Sequence, residues 1–331
     1  MMRYRKFGSS ELIVSEIGVG GGGLGHVWGP TSDEAVHEAI RFALDEGINF
    51  FDVAPSYGAG LAETNLGIAL GADRPQAVIA TKVRLAEDEL DDIPGAIERS
   101  LAASLERLQT EHVDLYQLHN RVTAARSDTR GSVSLQDVLG PGGVVETLHR
   151  LKSAEQTRLI GFTGVGDATA VREVMQNAEL DSVQVYYNLL NPSAAAPLAS
   201  GSTLWDHGQL LPLAAELGMA AIGIRNLAAG VLSSGVDRPI DDDSLFGRDR
   251  QRAKTLDFLS ANGTPLSQAA TRFVLDHNAI ASVIPGVKDQ SEVADAIASI
   301  DLPSIDDAQR DQLTKLVATD FGVAEPPGSM M

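Results

Sequence analysis

Short apolar runs rich in strand-forming residues alternate with stretches whose apolar positions recur every three or four residues, almost to the C-terminus. Residues 48–51, 77–81, 113–118, 159–162, 182–187, 220–224 and 281–284 read as strands, preceded by a first one at 16–19. These runs are continuously apolar, the pattern of parallel strands covered on both faces. Helical periodicity marks 62–70, 93–108, 144–155, 168–176, 209–217, 250–260, 267–276, 291–300 and a last helix from about 305. A further helix is expected from Thr31, where Thr31-Ser32-Asp33-Glu34 fits a capping box and Val36, Ile40, Ala43 and Leu44 share one face. Residues 4–7 and 12–14 bracket Gly8-Ser9-Ser10 and predict a hairpin. Eight strands, each followed by a helix and with no linker between them, predict an α/β fold. The expected form is one (β/α)8 TIM barrel over residues 1–331, with an N-terminal β-hairpin and a C-terminal helix. A doubly wound open sheet uses the same alternation and is the main alternative.

In a barrel, the chemistry lies at the C-terminal ends of the strands. Those ends carry Asp52, Lys82, His119, Thr163, Asn188 and Arg225. A lysine at the end of a buried strand is costly without a partner, and converging strand ends make Asp52 the candidate. Taken singly, Asp52 reads equally well as a helix cap and Lys82 as a stem reaching solvent. Three chemical groups closing apolar runs on consecutive strands point instead to one site. Tyr57 follows in a loop bounded by Pro55 and Gly58, which turns it back over the barrel mouth. An ammonium beside a phenol favours the phenolate and lowers its pKa. A Tyr–Lys–Asp chain is therefore a proton donor tuned toward neutral pH, and His119 adds a donor for a substrate oxygen.

Composition removes the competing chemistries. The 331 residues include no Cys, which excludes disulfide frameworks, thiolate metal sites and cysteine nucleophiles. The seven His include no close pair on one strand, so no metal is expected. With 45 acidic against 26 basic residues the net charge is −19, which argues against nucleic acid and anionic membranes as partners. Any anionic ligand then needs a local set of donors. No apolar run reaches the ~18 residues of a membrane span. The basic N-terminus has no apolar core behind it, so it is not a signal peptide and a cytoplasmic location is expected. What remains is proton transfer to or from an oxygen, coupled to a bond change that a cofactor supplies.

The tract Gly18-Val19-Gly20-Gly21-Gly22-Gly23 matches the spacing of a dinucleotide fingerprint. Seven residues separate it from the Thr31 cap, however, and a fingerprint helix must open at its third glycine. The glycines are read instead as a first loop passing close to a bound ribose.

The stretch Phe51-Asp52-Val53-Ala54-Pro55-Ser56-Tyr57-Gly58 resembles a signature of the aldo-keto reductase superfamily. So do Ala80-Thr81-Lys82, Asp114-Leu115-Tyr116-Gln117-Leu118-His119, Ile160-Gly161-Phe162-Thr163, Val183-Gln184-Val185-Tyr186-Tyr187-Asn188 and Ile284-Pro285-Gly286. The resemblance covers nearly the whole chain. It implies that Tyr57 is the general acid/base, Lys82 lowers its pKa, Asp52 pairs with Lys82, and His119 orients the carbonyl or hydroxyl. It implies a nicotinamide dinucleotide with hydride transfer at its C4, held by residues that include Gly21, Thr163, Gln184, Arg225, Leu227, Gly230, Gly286, Lys288, Glu292 and Asp295.

Three positions depart from the family pattern. Thr163-Gly164 stands where Ser-Asn is usual, while Gln184 is kept. Arg225 follows Ile224 where an aromatic ring often stacks, and it is read as a candidate for a cofactor phosphate. Glu292 and Asp295 occupy the place of a cation in NADPH-specific members, which favours NAD while leaving NADP possible; Lys288 is read as solvent-exposed. The first two departures resemble sugar-oxidising branches, such as the galactose and threo-aldose dehydrogenases. A small carbonyl or sugar substrate is therefore expected. Its contacts are sought in the loops, at Trp28, at Arg126 and Arg130 of loop 120–143, and at Trp205 of loop 189–208. The alternative is a non-catalytic, cofactor-sensing barrel resembling the potassium-channel β-subunits, which usually carry a long segment ahead of the hairpin.

Overall fold

The computed structural model describes residues 1–126, 128–233, 236, 239–261 and 263–323. Eight strands form one sheet, each hydrogen-bonded to the next in chain order: Val19–Gly20, Phe50–Asp52, Val78–Val83, Val113–Leu118, Thr157–Thr163, Ser182–Tyr186, Ala220–Ile224 and Ile280–Val283. Every pairing is parallel. Parallel bridges Ile17–Val283 and Gly20–Gly286 then tie the last strand to the first, so the sheet curls until its ends meet. A doubly wound sheet keeps its ends apart and reverses its strand order, so that alternative is removed. The N-terminal hairpin is present, with Tyr4–Lys6 antiparallel to Ile13–Ser15.

Alternation along the strands explains where the polar groups go, because residues two apart share a face. The inward positions are apolar at the N-terminal end of the barrel and polar at the other. Phe50 gives way to Asp52, Val78 and Ala80 to Lys82, and Leu115 to Gln117. Phe50, Val78, Ala80, Leu115, Leu159, Ala220, Ile222 and Ala281 pack into an inner cluster that Phe7 and Val14 of the hairpin complete. The rings of Phe7 and Phe50 lie 5.8 Å apart, so the hairpin plugs the N-terminal end. Each fully buried Phe, Leu, Ile or Val among them contributes about 1.5–3 kcal/mol, and each Ala less. A second and larger cluster fills the space between the strands and the surrounding helices.

Several element boundaries differ from the sequence reading. The first helix, Asp33–Asp45, is capped by Ser32, whose side chain accepts from the Ala35 backbone, and not by Thr31. Thr31 donates instead to the Lys288 carbonyl, 2.9 Å away. The first strand shifts to Val19–Gly20, because 16–18 pair with the last strand and 19–20 with the second. Loop 120–143 holds a short parallel pair, Val122–Thr123 with Val133–Ser134, and a five-residue helix, Leu135–Leu139. Its turn signals concealed both. Between the last two strands lie two α-helices, Leu245–Ala253 and Leu266–Leu275. The last helix is Asp307–Ala318. Among the described residues no helix is long and apolar enough to cross a membrane.

Candidate active site

Lys82 is fully buried, and its Nζ lies 2.5 Å from Asp52 Oδ2 and 2.9 Å from the Val53 carbonyl. The same Nζ is 3.4 Å from Tyr57 Oη and 4.9 Å from the centre of the Tyr57 ring. Asp52 is held from its other side: Gln117 Nε2 donates to Oδ1 at 3.2 Å and Gln184 Nε2 at 2.6 Å. The tyrosine and His119 rings meet edge to face, 5.7 Å apart. Asp52, Tyr57, Lys82 and His119 are thus brought together, as the strand-end argument expects.

Burial disfavours the Lys82 ammonium, but the charge of Asp52 and the adjacent Tyr57 oxygen outweigh it and hold the proton above the ordinary lysine range. Burial likewise raises the Asp52 carboxyl, against the pull of Lys82 and the two amides. For His119, burial and then the charges of Lys82, Arg84 and Arg225 push the imidazole down to about 3, so the ring is neutral near pH 7. Its Nδ1 lies 3.5 Å from Ser56 Oγ.

Asp52, Tyr57 and His119 open onto a cavity of about 1100 Å³, with Lys82 buried behind them. Gly21, Thr163, Gln184, Arg225, Leu227, Gly230, Gly286, Lys288, Glu292 and Asp295 all line it, as do Trp28 and Trp205. Thr163 Oγ1 is buried without a hydrogen-bond partner. The loop after the seventh strand puts Arg225, Ala228 and Ala229 in the left-handed region, at φ between 46° and 58°. Backbone strain of this kind is common at ligand clamps.

The placement of individual residues corrects two expectations, at Arg126 and Lys288. Arg126 does not line the cavity; its Nε lies 2.9 Å from Asp137 Oδ2, a carboxylate buried at the start of Leu135–Leu139. Arg130, from the same loop, does line it. Lys288 is not left to solvent: its Nζ is 3.7 Å from Glu292 Oε1, and its backbone N–H donates to Oε2 at 2.9 Å. The glycine tract lines the cavity at Gly20, Gly21 and Gly22 and also makes room for the protein itself. A Cβ on Gly22 would sit 2.2 Å from Trp28 Nε1, and one on Gly21 2.8 Å from the Asp52 carbonyl.

Sequence reasoning missed Arg84, Arg121, Tyr186 and His207, all of which line the cavity. The first two were detectable: they follow Lys82 and His119 by two residues, continuing the same alternation. His207 is stacked 4.7 Å from Tyr186 at the end of a loop with no periodic signal. Burial pushes its imidazole down to about 4, while the unfolded side chain takes a proton near 6.5. Between those values the unfolded chain binds more protons, so stability falls as pH falls from 6.5 toward 4. Urea melts across that range should show a shallower pH slope for His207→Gln than for the wild type. Equal slopes would mean the ring is not neutral in the folded protein.

A model of the aldo/keto reductase family matches residues 16–318. The chain belongs to the aldo/keto reductase family. L-galactose dehydrogenase of Arabidopsis thaliana is 28% identical over 302 residues, covering 90% of this chain and 88% of its own. Pyridoxal 4-dehydrogenase of Microbacterium luteolum is 27% identical, covering 87% and 90%. An aldo-keto reductase of Bacillus halodurans in its holo form shares the fold, with a TM-score of 0.73 at 24% identity over 96% of this chain and 97% of that one. Aldo/keto reductases are oxidoreductases that use nicotinamide cofactors, so the strand-end cavity is the place to test for both.

Proposed function

We propose that this chain is an NAD(P)-dependent oxidoreductase that interconverts a carbonyl and a hydroxyl on an aldose or small aldehyde, with Tyr57 as general acid/base. The observation that carries the reading is the buried Lys82 ammonium, clamped by Asp52 and set 3.4 Å from the one phenol at the cavity edge that has such a partner. The sugar and aldehyde relatives named above support the substrate class.

The cavity suits the cofactor. Thr163 Oγ1 is a buried hydroxyl lacking a partner, Gln184 presents its amide, and the strained 225–230 loop and Gly286 form the wall beside them. These residues would hold the nicotinamide end, and Lys288, Glu292 and Asp295 the adenosine end. A bound nicotinamide supplies or accepts the hydride at C4. Tyr57 Oη gives its proton to the carbonyl oxygen in reduction and takes the hydroxyl proton in oxidation. Lys82 stabilises the negative charge left on Oη, and Asp52 keeps Lys82 charged and in place. Neutral His119 donates a hydrogen bond to the same substrate oxygen, which lowers the cost of charge there.

The adenosine end favours NAD. Asp289 accepts from the Glu292 backbone N–H at the start of Gln290–Ala298, so that helix end is already capped by a carboxylate. With Glu292 and Asp295 beside it, a 2′-phosphate meets like charge, and Lys288 is engaged by Glu292. At an effective dielectric near 20 and physiological salt, the gap is about 1–2 kcal/mol. That is a roughly ten- to thirtyfold preference for NAD in kcat/KM. Cofactor titration by fluorescence, then kcat/KM with each cofactor on a panel of aldoses and aldehydes, tests both statements. Glu292→Arg should narrow or reverse the preference. Equal values in the wild type refute the NAD assignment, and no binding of either cofactor refutes the function.

A further inference from the structure

We infer that the substrate is an anion, a carbonyl or hydroxyl compound whose carboxylate or phosphate is gripped by Arg84, Arg121 and Arg130, with Arg225 alongside. The inference rests on the function proposed above and names its substrate class. The chain carries a net charge of −19, and its arginines are mostly consumed by carboxylates. Arg74 pairs with Asp114, Arg107 with Glu63, Arg126 with Asp137 and Arg150 with Glu98. Among the described residues, Arg84, Arg121, Arg130 and Arg225 have no carboxylate within ion-pair distance, and all four line the one cavity that contains Lys82's partner Tyr57. Among the described residues, the only carboxylates lining that cavity are Asp52, which Lys82 holds, and Glu292 and Asp295 on the far helix.

The arginines are close enough to act together. Burial, then the charges of Arg84 and Arg225, lower the Arg121 guanidinium from its ordinary range, and His119 feels Arg84 and Arg225 as well. Unpaired like charges so near each other are unfavourable until an anion sits among them. Guanidinium forks match the oxygens of carboxylate and phosphate alike.

The cofactor residues proposed above do not account for Arg84, Arg121 and Arg130, whereas Arg225 stands between the two sets. Arg84 and Arg121 follow the third and fourth strands, which pair directly, with Val83 opposite Leu118. Thr163 ends the fifth strand and Gln184 lies in the sixth, while Gly230 and Glu292 follow the seventh and eighth, which stand across the closed ring from the third and fourth. The guanidiniums border Lys82 and His119, where the reacting oxygen must lie. A cationic mouth on an acidic protein also draws anionic substrates in and turns neutral ones away only weakly.

Two matched pairs separate the sources of the anion: 4-oxobutanoate against butanal, and glyceraldehyde 3-phosphate against glyceraldehyde. With NAD(H) or NADP(H), kcat/KM should be at least tenfold higher for the charged member of one pair, and the pair that responds identifies carboxylate or phosphate. Rising salt should erode that advantage. Arg121→Gln and Arg84→Gln should each reduce the charged-to-neutral ratio by about tenfold, mainly through KM. Calorimetric titration with succinate and with glycerol 3-phosphate reads the same site without turnover: one should bind the wild type and bind each variant at least tenfold more weakly. Equal or reversed ratios together with no anion binding overturn the proposal. Anion binding without turnover of any carbonyl leaves the arginine anion site standing and overturns the oxidoreductase reading instead.

Discussion

Tyr57→Phe lowers kcat by about 10²–10⁴-fold, the usual contribution of a positioned acid–base group, and leaves cofactor affinity within a few fold. The substitution removes one oxygen and keeps the ring. The edge-to-face contact with His119 at 5.7 Å and the ammonium 4.9 Å from the ring centre both remain, so the site keeps its shape. What disappears is the hydroxyl 3.4 Å from Lys82 Nζ, the only one among that group's hydrogen-bond partners in the described residues. His119 does not replace it, because near pH 7 its neutral ring donates a hydrogen bond but carries no acidic imidazolium proton to transfer. The loss should fall on kcat more than on KM, since the proton is needed in the transition state and not for binding. Steady-state kinetics with the best substrate of the panel, and a cofactor titration on the same preparation, provide the check. Turnover within tenfold of wild type removes Tyr57 from the mechanism.

The centre of the site was legible because its members obey a strong constraint. A strand end inside a barrel tolerates Lys82 only with an acid close by, and Asp52 stands one strand away, in register with Ala80, two residues before the lysine. Gln184 was legible as a cavity residue but not in its action: its amide also braces Asp52 at 2.6 Å. Only a three-dimensional neighbour, 132 residues away, reveals that. Arg126 and Arg130 look equivalent in sequence, four residues apart in one loop. The difference lies in Asp137, which caps a five-residue helix too short to leave a periodic signal and captures Arg126. Lys288 and Glu292 show the same limit, because Lys288 precedes the Asp289 cap of Gln290–Ala298 and the contact comes from how the chain enters that helix, not from helical spacing. The glycine tract was legible as a close approach, yet what approaches is Trp28 and the neighbouring strand. The barrel itself followed from eight alternations, whereas its closure depends on residues 17–20 meeting 283–286, a pairing of the two ends of the chain.

Lys82→Met abolishes measurable activity and also destabilises the fold, by about 3–5 kcal/mol near neutral pH, the cost of stripping one partner from a buried ion pair. Both side chains are essentially inaccessible, at 0% and 3%, so Asp52 keeps its charge with two amides as its remaining donors. Methionine fills the volume of the lysine stem, so the loss is electrostatic and not a cavity. The sign of the pH dependence separates this account from a packing defect. Asp52 is already raised by burial, and without Lys82 its carboxyl rises further and is protonated more readily. Acidification from pH 7 toward 5 should therefore recover part of the variant's deficit relative to wild type. Adding Asp52→Asn should recover most of it at every pH, since no buried charge is left. Neither change should restore turnover, because the ammonium beside Tyr57 Oη is still absent. Urea melts of the three proteins at pH 5 and 7, with matched assays, decide the matter. A single variant as stable as wild type, or a double variant no better than the single, would show that Lys82 and Asp52 are not the interdependent pair the geometry describes.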